Sequence, residues 1–287
     1  MRSIVKIVWS GNIAGSIQGI LLAVAVIFSA GAAENSSHWI SNQYTSSRLF
    51  VGDYDAQKKI IHIGWQVKLK DGWKTYWRTP GEAGMPPSWN WDNSGDLREI
   101  AVKWPVPERM TFFGYVSNVY HDELVVPIEV HLGSGDGQVA LALTMDFMIC
   151  KEVCIPLTAD YRLELDNLAG LEVSLYQQAL LEKFRNRVPR EEDPGFLYVQ
   201  DNGKGLLTVS LKTPESGGIT YRDLFVEGPE DFYFSEPRLR NGADSVLFEI
   251  PYTQERSHGS LVGEEVILTL VPGAGQAREV RARIVTE

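Results

Sequence analysis

Cysteine is almost missing from this chain: there are two among 287 residues. A framework of several disulfides is therefore excluded, and so are the multi-cysteine zinc and iron–sulfur sites. Histidine is scarce at five, and no zinc-ligand spacing, Ser/His/Asp order or phosphate-cradling glycine loop stands out. No cofactor is expected. Positive charge is also short, with 27 Lys and Arg against 37 Asp and Glu for a formal net charge of -10. Such a balance argues against nucleic acid or an anionic lipid surface as partner. Beyond the first thirty residues no apolar run reaches the ~20 residues a spanning helix needs.

The N-terminus is different in kind. Arg2 and Lys6 precede an apolar stretch from Gly19 to Ala30, and Ala30-Gly31-Ala32 has the small-x-small pattern of a cleavage site. Residues 1–33 are thus expected to be a cleaved export signal, placing the mature chain in the periplasm. An uncleaved anchor is the competing reading, disfavoured by the short apolar core. Cleavage would remove two basic residues and no acid, taking the formal charge to -12.

In the mature part, Ile61, Ile63, Trp65, Val67 and Leu69 alternate with His62, Gly64, Gln66, Lys68 and Lys70, the period of a strand, and Asp71-Gly72 is a hairpin signal. Leu124 to Val130, Gln138 to Ile149 and Tyr161 to Leu165 repeat the theme. Between Val173 and Val188 the period changes: Tyr176, Ala179, Leu180, Phe184 and Val188 predict one amphipathic helix, ended by Pro189. Pro189 to Pro194 reads as an acidic linker. Beyond it, short alternating strands recur to Val285. The expectation is an all-β protein of two β-sandwich domains joined by a short helix and linker, with boundaries at 34–170, 171–194 and 195–287.

The two cysteines stand in Met145-Asp-Phe-Met-Ile-Cys150-Lys-Glu-Val-Cys154. Leu141, Leu143, Met145, Phe147 and Ile149 share one face of the strand. Cys150 therefore falls on the opposite, less buried face at its end, and a tight turn returns the chain to Cys154. Both sulfurs are expected near the surface. Closing so short a loop removes only about 2 kcal/mol of unfolded-chain entropy, so a staple is a weak reason for the pair. A disulfide in an accessible short turn suits exchange better. A plain structural disulfide is the bland alternative. A Cu(I) site in a copper-tolerance protein is the other, using Cys150, Cys154 and Met148, with Met145 assigned to the core by parity. The tryptophans Trp65, Trp73, Trp77, Trp89, Trp91 and Trp104 could form a sugar platform, but their strand spacing fits packing better.

The ordered succession Asp71-Gly-Trp-Lys-Thr-Tyr-Trp77, Pro80-Gly-Glu-Ala-Gly84, Pro86-Pro87, Trp104-Pro105, Phe112-Phe113-Gly114, Tyr120-His-Asp-Glu-Leu124, Pro127 and the cysteine pair resembles the N-terminal periplasmic domain of the DsbD and ScsB thiol:disulfide interchange proteins, over residues 45 to 190. The remainder resembles the second immunoglobulin-like domain of the ScsB-type branch. The resemblance implies immunoglobulin-like folds and a thiol:disulfide oxidoreductase that depends on partners. Its cysteine pair would take electrons from a membrane-embedded thiol:disulfide transporter and pass them to periplasmic thioredoxin-like proteins. It further implies that Cys154 forms the mixed disulfide, that Cys150 resolves it, and that Phe112, Phe113 and Gly114 form an aromatic cap loop over the pair. Three departures stand out. The cysteines are closer together than in the better-known DsbD members. Met110 and Thr111 replace acidic residues before the cap aromatics. The sequence stops at Glu287 with neither a transmembrane nor a thioredoxin-like domain, so a separately encoded membrane reductase is expected.

Overall fold

Alternating apolar residues drive most of the chain into strands, as the computed structural model shows. It describes residues 35–95, 97–112, 114–133, 137–212, 220–241, 245–255 and 259–286. The expected export signal and Phe113 lie outside the described residues.

The first sandwich comprises β1 (Ile40–Ser41), β2 (Thr45–Asp55), β3 (Ile60–Leu69), β4 (Lys74–Gly81), β5 (Ser88–Asn90), β6 (Leu97–Val102), β7 (Glu108–Phe112), β8 (Tyr115–His121), β9 (Glu123–Leu132), β10 (Val139–Cys150) and β11 (Cys154–Leu165). One sheet runs β1-β2-β3-β9-β6 and the other β11-β10-β4-β8-β7, with β5 also on β10. Between them Trp65, Phe147, Leu143, Met145 and Ile128 are sealed from solvent. The indole of Trp65 donates to the Tyr161 hydroxyl at 3.0 Å, which satisfies its polar edge inside the core. Trp73, Trp77 and Trp104 are buried as well, and Trp89 and Trp91 pack against the same core, so the tryptophans serve packing.

The outer face of β3 is also covered. Helix α1 (Leu175–Arg185), capped by Ser174 whose hydroxyl accepts from the Gln177 amide, lies on β2 and β9. Its buried stripe is Gln177, Leu180, Leu181 and Phe184, whereas Tyr176 is 59% exposed. The inward face is therefore turned from the predicted one. The cause is Gly52: a Cβ there would fall 2.1 Å from Leu181 Cδ2, so the missing side chain makes the hollow that Leu181 fills.

The segment expected as a linker is structured. Arg190–Glu192 forms β12, parallel to the last strand of the second sandwich, and Glu192 pairs with Arg278 at 3.1 Å. Its charged composition hides it because an edge strand turns polar side chains to water. After a 3-10 turn at Pro194–Phe196 come β13 (Leu197–Asp201), β14 (Leu206–Lys212), β15 (Tyr221–Glu227), β16 (Phe232–Phe234), β17 (Arg238–Asn241), β18 (Ser245–Gln254), β19 (Glu265–Pro272) and β20 (Arg278–Thr286). The order is β15-β19-β20-β13-β14-β18-β16, with β17 on β18. Strand β20 is antiparallel to β19 through Arg283 and then parallel to β13 from Ile284, so it passes between the two layers. Leu207, Val209, Phe248, Ile250, Val266 and Leu268 form this second core. The fold is all-β, two immunoglobulin-like sandwiches with a single α-helix among the described residues.

The sandwiches meet along β4 and β7. Arg78 bonds the carboxylates of Glu227 and Glu279, the first at 2.6 Å. Arg109 bonds Asp223 at 3.0 Å and the Leu224 carbonyl at 2.7 Å. Trp77 meets Phe225 edge-on at 5.6 Å between ring centres.

Candidate redox site

The even-numbered residues of β10 point away from the core, and Cys150 ends that row. It is nevertheless only 1% exposed. Tyr76 and Val119, from β4 and β8, form a small second apolar cluster with Cys150 on this outer face, and Met110 and Met148 pack against it. The parity expected from sequence therefore holds, but the expectation of two sulfurs near the surface holds for Cys154 alone, which is exposed. Sequence periodicity reports the face of a strand, not what neighbouring strands bring to that face.

Cys150 and Cys154 face each other as the last register pair of the β10–β11 hairpin, with Cα atoms 4.1 Å apart, and their sulfurs are bonded. The turn between them closes with the Lys151 amide donating to the Val153 carbonyl at 3.0 Å. Strand β10 meets β4 only here, pairing Ile149 with Thr75 and Cys150 with Lys74. The Thr75 hydroxyl pins the junction by donating to the Met148 carbonyl at 2.9 Å.

This junction delivers two residues that the sequence did not assign to the site. The Tyr76 hydroxyl donates to Cys150 Sγ at 3.0 Å and lies 3.9 Å from Cys154 Sγ. Burial pushes its phenol above the ordinary value, so it remains a donor. Behind it sits Gly84 at φ +117°, where a Cβ would fall 2.2 Å from the Tyr76 ring. The Pro80-Gly-Glu-Ala-Gly84 run thus lets backbone press on the ring and hold it toward the sulfur. Lys74, on the same face and directly opposite Cys150, is 3% exposed, with its ammonium 4.1 Å from the centre of the Phe112 ring. The alternation of Trp73, Thr75 and Trp77 with Lys74 and Tyr76 was visible in sequence. What it lacked was the register that sets β4 beside the cysteines.

Of the expected cap residues, Phe112 ends β7 and reaches the site through Lys74, Gly114 is exposed at φ +86°, and Phe113 is outside the described residues. Of the residues named for copper, Met148 packs on the Cys150 cluster, but the cysteine sulfurs are bonded to each other and offer no thiolate ligand. Met145 is in the core at 0% exposure. Among the described residues no group of three or more His, Cys, Asp or Glu could hold a metal. Clefts of about 830 and 700 Å³ lie where the sandwiches meet, and neither is lined by a cysteine.

The arrangement offers one exposed sulfur for attack and one buried sulfur with a hydrogen-bond donor for the charge released. Residues 46–165 match the family model described as the N-terminal domain of the thiol:disulfide interchange protein DsbD, and residues 187–287 match a domain of unknown function, DUF8393. The crystal structure of the N-terminal periplasmic domain of ScsB from Proteus mirabilis superposes with a TM-score of 0.70 at 24% identity, covering 89% of this chain and 100% of that one. No curated protein matches the chain. Residues 46–165 thus form a domain of the DsbD N-terminal family, and the ScsB domain shares the fold of the chain.

Proposed function

We propose that this protein is a periplasmic thiol:disulfide exchange module that relays electrons between a membrane-embedded reductase and thioredoxin-like proteins. The observation that carries this reading is the asymmetry of the pair: Cys154 is open to a partner, while Cys150 is enclosed and hydrogen-bonded by Tyr76 at 3.0 Å. An incoming thiolate can reach the Cys154 sulfur in line with the bond to Cys150. The new S–S bond joins partner and Cys154, the Cys150–Cys154 bond breaks, and its electron pair stays on Cys150 as a thiolate facing the Tyr76 hydroxyl. A second partner thiolate then attacks its own sulfur in the mixed disulfide. The partner leaves oxidised, and Cys154 leaves as a thiolate that takes a proton. Run backwards, the same steps reduce a partner disulfide, with Cys154 attacking and Cys150 resolving.

Tyr76 favours this order because a thiolate is a better leaving group when a donor already points at it. Phe112 and its hairpin are assigned the cap role, shielding the buried side of the pair from small oxidants. Export by the signal at residues 1–33 supplies the compartment in which such a relay is needed. The test is trapping. A Cys150→Ser variant should accumulate a mixed disulfide through Cys154 with a thioredoxin-like protein, and Cys154→Ser should accumulate none. Absence of any trapped species with Cys150→Ser, against free exchange of the wild-type pair with a small dithiol, would reject the relay.

A further inference from the structure

Lys74 is the only lysine or arginine among the buried described residues. Lysine usually keeps its ammonium in water while the stem packs, and enclosing the charge without a counter-ion is costly. Here burial depresses its pKa and Glu152 in the neighbouring turn partly opposes that. No carboxylate forms an ion pair with it among the described residues, and its defined contact is the face of Phe112. The other titratable groups around it are Tyr76 on its own strand, His121 opposite on β8, and Cys150 opposite on β10. Lys151 turns instead to the Asp71 carbonyl. On β7 the charged residues are Glu108, which is exposed, and Arg109, which Asp223 holds.

The exchange chemistry makes an anion on the residue directly across from this ammonium. We infer that Lys74 is a positioning residue that serves as counter-ion to the Cys150 thiolate, held ready on the Phe112 ring while the disulfide is intact. This rests on the thiol-exchange reading above. In the step that breaks the Cys150–Cys154 bond, the electron pair left on Cys150 Sγ is stabilised by the Tyr76 hydroxyl and by the Lys74 charge. No proton need be delivered at that moment. Directly opposed side chains on neighbouring strands sit about 5 Å apart at Cβ, so the flexible lysine stem can bring its ammonium to the sulfur, and an opposite charge within ~4–6 Å lowers the pKa of an acid by about one to three units.

The experiment uses the mature full chain carrying Cys154→Ser, so that Cys150 is the sole thiol, and follows thiolate absorbance from pH 5 to 9.5. Adding Lys74→Met, which keeps the length of the stem, should raise the Cys150 pKa by about 1 unit or more, and Lys74→Arg should return most of the shift. In the chain with both cysteines, Lys74→Met should slow disulfide cleavage by glutathione about threefold, since a more basic thiolate leaves more slowly. A Cys150 pKa unchanged by Lys74→Met in a protein with wild-type circular dichroism would overturn the proposal, as would an arginine variant that behaves like methionine. The relay reading fails separately: if wild-type protein exchanges with no thioredoxin-like partner yet the pKa shift appears, the counter-ion stands and the relay falls.

Discussion

The two sandwiches bury cores of similar make-up yet use the outside of their sheets differently. On the first, the outer face of β4, β8 and β10 is closed into a second cluster around a sulfur, with Tyr76, Val119 and Lys74 turned away from the main core. On the second, Asp223, Glu227 and Glu279 accept hydrogen bonds from Arg109 and Arg78 of the first. These two arginines belong to the strands that carry the site: β4 bears Lys74 and Tyr76 as well as Arg78, and β7 bears Phe112 as well as Arg109. One sandwich holds the chemistry, and the other grips the strands that shape it.

The joint between the sandwiches is where a single substitution should cost the most. Arg78→Ala would leave Glu227 and Glu279, whose side chains are only 12% and 13% exposed, without their cation. Stranding buried charge should cost about 3 kcal/mol. The expected result in urea is a lower midpoint for the second sandwich and a transition that separates into two steps. Unfolding in one step at an unchanged midpoint would show that the sandwiches do not depend on each other. Next in size is Tyr76→Phe, which keeps the ring against Gly84 and removes only the hydroxyl. Loss of a hydrogen bond to a charged sulfur, about 1.5 kcal/mol, should slow exchange roughly tenfold while leaving the urea midpoint within about 0.5 kcal/mol of wild type. An equal loss of stability and rate would make Tyr76 a packing residue and erase the distinction between the two faces.

Strand alternation was legible wherever one face met the core, as at Leu141 to Ile149, and so was the outward parity of Cys150. The cysteine pair stood out by its scarcity and spacing, and the family resemblance drew attention to Phe112. What could not be read was anything that depends on two segments meeting. The burial of Cys150 comes from Tyr76 and Val119 on two other strands. The inward turn of α1 comes from a hollow at Gly52, more than a hundred residues before Leu181. β12 escaped because its Arg-Glu-Glu composition is that of a loop and only its ladder to β20 makes it a strand. Lys74 drew no reading of its own, since a period-two pattern says only which way it faces and nothing of the Phe112 ring against its ammonium.

The smallest expected effect concerns pH and again separates the two sandwiches. His62, on the outer face of β3 under the helix, has Nε2 3.6 Å from Asp53, and its Nδ1 is buried with no hydrogen-bond partner among the described residues. Burial lowers its pKa below 6.5, Arg185 adds to that, and Asp53 opposes it. With the folded pKa below the unfolded one, the unfolded chain binds the proton more readily. The stability His62 contributes is therefore fully present above about pH 6.5 and is lost as pH falls from there through the folded pKa. Between pH 7 and 5, amide protection in Ile61 to Trp65 should weaken once intrinsic exchange is allowed for. Protection at Val199 and Val209, in the core of the second sandwich, should change less, because His62 contributes nothing to their local openings. His62→Gln, which cannot take up a proton, should flatten the dependence in the first group alone. If both sandwiches lose protection in parallel, their joint transmits the change and the division of labour between them is stability-coupled as well as spatial. A slope in Ile61 to Trp65 that survives His62→Gln would remove the histidine from the account.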